Sequence, residues 1–177
     1  MKGVFIMENK VDGANKQGSR WLSLDMSTTS TGWALWEGNK IKEYGCIMAD
    51  KGQPLNKRIH KMWEGLEGVL SRYEIKKAIV EDPLPRTSFN TNEATYRALN
   101  WLQGYVGVML KDRGIEVEFV MPNSWRSKIG IKTGRGHKRD ELKAADIQWV
   151  TEHFGFDVND DIADAIGIGF STIDSAF

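Results

Sequence analysis

Cysteine is almost absent from the 177-residue chain. The one that occurs, Cys46, rules out an internal disulfide and any zinc site built from several thiolates. Such usage suits a reducing compartment, and the cytoplasm is the expected location. Long hydrophobic runs are missing too. No stretch approaches the roughly 20 apolar residues that span a bilayer, and the apolar part of MKGVFIMENK is too short for a secretory core. No membrane partner is expected. Nor does charge of either sign dominate, because Lys+Arg and Asp+Glu both number 24. A protein of zero net charge does not coat nucleic acid on average, so an anionic partner must be met by a local patch.

What is present is ordinary globular composition, 41% hydrophobic and 27% charged. That excludes a disordered, collagen-like or coiled-coil chain. The length fits one domain, large enough to bury roughly 70% of its unfolded surface. Residues 1–20 carry no period of 2 or 3.6, and VDGANKQGSR is polar and turn-rich. This segment reads as a flexible tail or expression remnant, with one domain over 21–177.

Within the domain, strands are expected at Trp21–Met26, Gly32–Trp36 and Ile41–Cys46, with a hairpin signal at Gly38-Asn39. Leu55, Ile59, Met62, Trp63, Leu66, Val69 and Leu70 recur at helical spacing. Ala78–Val80 reads as a buried strand, Asn92–Lys111 as a long helix stopped by Gly114, and Val117–Met121 as a strand ended by Pro122. Helices at Arg139–Phe154 and Asp160–Ile173 complete the chain. Three adjacent strands followed by alternating helix and strand predict a mixed α/β fold around one central sheet.

Acids stand at the ends of apolar strands: Asp25 closes LSLD and Glu81 closes AIVE. Strand ends in open α/β sheets are where ligand sites collect. In DVNDDIADAIGIGF, Asp161 and Asp164 are i,i+3 neighbours on a helix. Ile162, Ile166, Phe170 and Ile173 fall on another face, so the apolar stripe is expected to bury while both carboxylates look away. Capping explains Asp157, Asn159 and Asp160. It does not explain Asp164, a full turn inside. Two carboxylates 4 Å apart repel by roughly 4 kcal/mol at an effective dielectric near 20, and no Lys or Arg in these segments matches them. Hard oxygen ligands call for Mg2+ or Mn2+. Two such ions per site would clamp the attacking and leaving oxygens of a phosphodiester displacement.

A second constellation is WRSKIGIKTGRGHKR. It places Arg126, Lys128, Lys132, Arg135, Lys138 and Arg139, six of 24 positive charges, within 14 residues and without an acid. Gly130, Gly134 and Gly136 let such a loop follow a phosphate backbone. Basic runs are more often solvated loops, and the acidic set beside it favours DNA contact.

The order LSLDMSTTSTGW, AIVEDPLP, DDIADAIGIG resembles the RuvC-like Holliday junction resolvases, particularly their phage-encoded branch. The resemblance covers about residues 21–174. It implies a ribonuclease H-like fold, with a central mixed five-stranded sheet flanked by helices, and a homodimer that nicks four-way and other branched DNA junctions. Asp25, Glu81, Asp161 and Asp164 would be its catalytic and metal-binding residues. DNA contacts would fall to Leu84, Arg86, Arg126, Lys128, Lys132, Arg135, Lys138 and Arg139. The location would be the host-cell cytoplasm. Two positions depart from the family pattern: Met26-Ser27 replaces Pro-Gly, and Leu84 stands where an aromatic wedge is frequent.

Two other readings compete. DMSTTSTG also resembles the phosphate-binding turn of actin-like ATPases and sugar kinases, which need a second phosphate turn and far more chain. A non-catalytic branched-DNA binder would not need all four carboxylates. His60 reads as surface, His137 as part of the basic loop, and His153 as a helix-end charge. Trp33, Trp63, Trp101 and Trp149 read as core or interface, Trp125 as a residue that stacks on DNA, and Cys46 as simply buried. The long helix offers Leu99, Trp101, Leu102, Val106 and Leu110 either to a dimer partner or to the sheet.

Overall fold

The computed structural model describes residues 19–82, 92–133, 136 and 138–173. Its elements in chain order are β1 (Arg20–Asp25), β2 (Ser30–Glu37), β3 (Lys40–Met48), α1 (Leu55–Leu70), β4 (Lys77–Glu81), α2 (Glu93–Asp112), β5 (Glu116–Val120), α3 (Pro122–Lys128), α4 (Arg139–Phe154) and α5 (Asp160–Phe170). Among the described residues no helix is long and apolar enough to cross a membrane.

The strands form one mixed sheet in the order β3-β2-β1-β4-β5. β1 to β3 are an antiparallel meander, turned at Gly38 with φ 59, a left-handed conformation that glycine adopts without steric cost. β4 pairs with β1 and β5 with β4, both in parallel. Parallel neighbours need a crossover, and α1 and α2 supply the two.

Period-2 alternation decides which layer each strand residue meets. Leu22, Leu24, Trp33, Leu35, Ala78 and Val80 pack with Met62, Trp63, Leu66, Leu102 and Val106 of α1 and α2. Ala34, Trp36, Tyr44 and Cys46 pack on the opposite face, against Trp149, Val150, Ile162 and Ile166 of α4 and α5. The result is three layers, helices on both faces of the sheet, as expected for an α/β domain. Asp25 follows Leu24, and Glu81 follows Val80. Alternation therefore turns both acids towards the α5 side.

One expectation is extended and one corrected. Pro122 follows the end of β5, as read, and is also the first residue of α3; a proline fits helix position N1 because its missing N–H has no partner there anyway. Asp164 does not look away from the core. Every residue of α5 from Ile162 to Gly169 is buried, Asp164 included. Its glycines make this possible: a Cβ on Gly167 would lie 2.5 Å from the Trp125 ring, and one on Gly169 2.3 Å from Trp36 Nε1. Of the α2 residues, Leu102, Val106 and Leu110 are buried against the sheet, while Trp101, Tyr105 and Val108 stay exposed.

Candidate active site

β1 and β4 end side by side, with Leu24 opposite Val80 in the parallel register. Asp25 and Glu81 thus stand together at the carboxyl edge of the sheet. Behind Asp25 the chain turns tightly on its own hydroxyls: Ser27 Oγ accepts from the Thr29 and Ser30 amides, each at 3.2 Å, and Thr31 Oγ1 donates to the Ser27 carbonyl at 3.0 Å. That turn delivers Ser30, whose hydroxyl donates to Asp161 Oδ2 and lies 3.0 Å from Cys46 Sγ. Asn159 caps α5 by accepting from the Ile162 amide at 2.9 Å. The first turn then carries Asp160, paired with Lys143, and Asp161, while Asp164 lies one turn deeper.

Glu81 is held on two sides. Gln103 donates to its backbone carbonyl at 2.7 Å, and Trp125 Nε1 donates to its Oε2 at 2.6 Å. Trp125 is 1% exposed. It supports the carboxylate from inside and offers no face to DNA, contrary to the sequence reading. Arg126 departs further. It is buried among the acids, with Nη2 2.9 Å from Asp146 Oδ2 and 3.0 Å from Asp164 Oδ2, and with Nη1 3.9 Å from Glu81 Oε2. The acidic segments themselves hold no matching Lys or Arg, and the matching charge comes from outside them, from α3.

Electrostatics follow from this crowding. Burial raises Asp25 well above its ordinary 3.8, and the charges of Glu81 and Asp161 raise it further. Asp164 is pushed up to about 10, first by burial and then by Asp25. Burial also raises Glu81, against the opposing pull of the Trp125 hydrogen bond and of Arg126. Burial opposes the Arg126 charge, yet Asp164 and Asp146 outweigh it and raise its pKa. In the metal-free chain, carboxylates with raised pKa values hold protons that the unfolded chain gives up above about pH 4. Stability must then fall as pH rises from there towards the raised native values. Asp25→Asn is expected to raise the melting temperature in EDTA, by about 2–8 °C at pH 8 and by less at pH 5. Scanning calorimetry at the two pH values checks this, and a lower melting temperature at pH 8 would contradict it.

Hard oxygen donors of this kind suit a divalent cation. Asp164 Oδ1 is buried without a hydrogen-bond partner, and a cation would satisfy such an atom. Among the described residues, no three acids, histidines or cysteines are arranged to hold one ion together. Arg126 occupies the Asp164 side of the cluster. Asp25, Glu81 and Asp164 fit a cation chemically, and Asp161 adjoins them.

Lys128, Lys132, Lys138 and Arg139 are exposed, the first at the end of α3 and the last at the start of α4. Leu84, Arg86 and Arg135 lie outside the described residues, as do Gly134, His137 and residues 1–18 of the expected tail. Asp146, Ser30 and the inward role of Arg126 were missed in the sequence. Asp146 has a visible signal. It sits at i+4 from Leu142 and at i−3 and i−4 from Trp149 and Val150, an acid placed in the buried stripe of α4.

A ribonuclease H-like sheet carrying an acidic cluster across β1, β4 and α5 defines the class of protein. Within it, the chain resembles the RuvC-like Holliday junction resolvases in both sequence and fold. It is 25% identical over 151 residues to the crossover junction endodeoxyribonuclease RuvC of Desulforamulus reducens, covering 83% of this chain and 88% of that protein. Thermus thermophilus RuvC in complex with a Holliday junction substrate superposes with a TM-score of 0.67 at 16% identity, over 86% of this chain and 91% of that one. A second T. thermophilus RuvC structure gives 0.62 at 18% identity, over 86% and 92%. These superpositions establish the fold. No protein-family model matches the sequence.

Proposed function

We propose that the chain is a metal-dependent endonuclease that nicks four-way and other branched DNA junctions, leaving 5′-phosphate and 3′-hydroxyl ends, in the cytoplasm. The observation that carries this reading is the convergence of Asp25, Glu81, Asp161 and Asp164, from three separate chain segments, at the carboxyl edge of a RuvC-like sheet. Mg2+ or Mn2+ bound to these carboxylates would supply Lewis-acid activation of water and of the leaving 3′ oxygen, with two ions per site in the full arrangement. The chain's own residues do the rest. Trp125 and Gln103 hold Glu81 in place, and the hydroxyl-rich turn after Asp25 places Ser30, which orients Asp161. The test compares nicking of a synthetic four-way junction and its linear duplex with Mg2+ and with EDTA. Metal-dependent nicks confined to the junction support the reading, and an inert protein would refute it.

DNA would be met by the basic run leading into α4, where Lys132 and Lys138 are exposed and within reach of phosphates. Lys132→Ala with Lys138→Ala is expected to weaken junction binding about tenfold. It should also reduce the slope of log affinity against log salt by about 2, because fewer counterions are released. Fluorescence anisotropy across a salt series measures both, and an unchanged slope would make the loop a bystander.

A four-way junction has two strands to cut, which matches a two-fold homodimer. The apolar outer face of α2, with Trp101 59% and Val108 60% exposed, is the proposed contact. Sedimentation at the mass of two chains supports it; a single-chain mass at assay concentrations would contradict it.

A further inference from the structure

Among the described residues Arg126 is the one buried basic side chain, and the acid that holds it most completely is not one of the four expected catalytic carboxylates. Asp146, on α4 and 1% exposed, takes Arg126 Nε at 3.3 and 3.0 Å on its two oxygens and Nη2 at 2.9 Å. Asp164 receives only a share of Nη2, at 3.0 Å, and Glu81 lies 3.9 Å from Nη1. The Trp125 ring supports the guanidinium from one side, 4.1 Å away. Four elements, α3, α4, α5 and β4, thus meet at a single cation whose main partner is Asp146.

Guanidinium is a fixed positive charge that cannot be shed at working pH. Released among Asp164, Glu81 and Asp25, it would compete with any other cation for their oxygens. Paired with Asp146 it is neutralised on one edge, and the remaining carboxylate oxygens are left open to another cation. We propose that Asp146 is a positioning residue that clamps Arg126 at the edge of the cluster, holding it off Glu81 and limiting it to a shared nitrogen at Asp164, so that these carboxylates can take a divalent cation. This rests on the metal-dependent reading above. It concerns a residue outside the expected metal ligands, and it is read by metal binding without DNA or turnover.

Opposite signs are expected for the two partners. Asp146→Asn removes a negative charge and frees the guanidinium, so Mn2+ affinity should fall at least tenfold. Arg126→Gln removes the competing cation, so Mn2+ should bind several-fold more tightly than to the parent protein. The double variant has the parent's net charge and no guanidinium to restrain. It should return to within about threefold of the parent.

Isothermal titration of the whole chain with Mn2+ alone, for the parent and the three variants, decides it. Weak binding in Asp146→Asn that is rescued in the double variant supports the clamp. Parent-like affinity in Asp146→Asn overturns it, and so does a double variant as weak as the single, because Asp146 would then act on structure alone. Should Asp146→Asn fail to fold, Arg126→Gln carries the test: tighter binding supports the clamp, and equal or weaker binding overturns it. A parent chain that takes up no Mn2+ overturns the nuclease reading and the clamp with it. A parent that binds Mn2+ while the variants do not differ overturns the clamp only.

Discussion

Glu81→Gln is expected to reduce Mg2+-dependent junction nicking by about a thousandfold or more, equivalent to roughly 4 kcal/mol of transition-state stabilisation, while junction binding changes less than about threefold. The substitution is nearly isosteric. The Gln103 bond goes to the backbone carbonyl and survives, and the Trp125 indole can still donate to the amide oxygen. Only the charge and one hard oxygen donor are lost. Asp25→Asn, Asp161→Asn and Asp164→Asn should behave alike, since each removes a charge from the same cluster, whereas the phosphate contacts assigned to the basic loop are untouched. Nicking on a denaturing gel, with binding measured in parallel, separates the two effects. Full activity in any one variant would remove that residue from the site.

Gly32→Ala should be the most damaging single-methyl change in the fold. A Cβ there would lie 1.9 Å from the Asp161 carbonyl oxygen and 2.3 Å from its carbon, both backbone atoms that cannot rotate away. β2 and the start of α5 must then part, at a cost of about 3 kcal/mol or more. For a chain of this size that is roughly 6–12 °C in melting temperature. Activity should fall beyond the loss of folded protein, because the first turn of α5 carries Asp161 and leads to Asp164. Gly68→Ala is the control. Exposed on α1 with nothing within 4 Å of an added Cβ, it should be neutral or stabilising by up to about 1 kcal/mol. Calorimetry of both variants checks the contrast, and a melting temperature in Gly32→Ala equal to the parent's would show that β2 and α5 do not approach as described.

The sheet was legible because its signals are local. LSLD, AIVE and the Gly38-Asn39 hairpin carry their own periodicity and turn chemistry, and the strands form where these place them. Asp25 and Glu81 stood out because each ends an apolar strand, and Asp164 because it lies too deep in its helix to be a cap. What escaped was non-local. Arg126 sits in a run of basic residues and reads as one of them; only the fold of α3, begun by Pro122, turns it inwards while Lys128 stays out. Trp125 next to it reads as a stacking residue, yet its ring packs against Gly167 of a helix some forty residues further on. The burial of α5 on every side depends on neighbours that no period in its own sequence reveals.

The most direct measurement is product mapping on a synthetic four-way junction in Mg2+, followed by treatment with DNA ligase. Paired nicks near the crossover that ligase reseals without prior phosphorylation are expected, with the linear duplex left intact and EDTA abolishing the reaction. Cutting of junction and duplex at equal rates, cleavage that persists in EDTA, or nicks that ligase cannot seal would contradict a carboxylate-held metal site that resolves branched DNA.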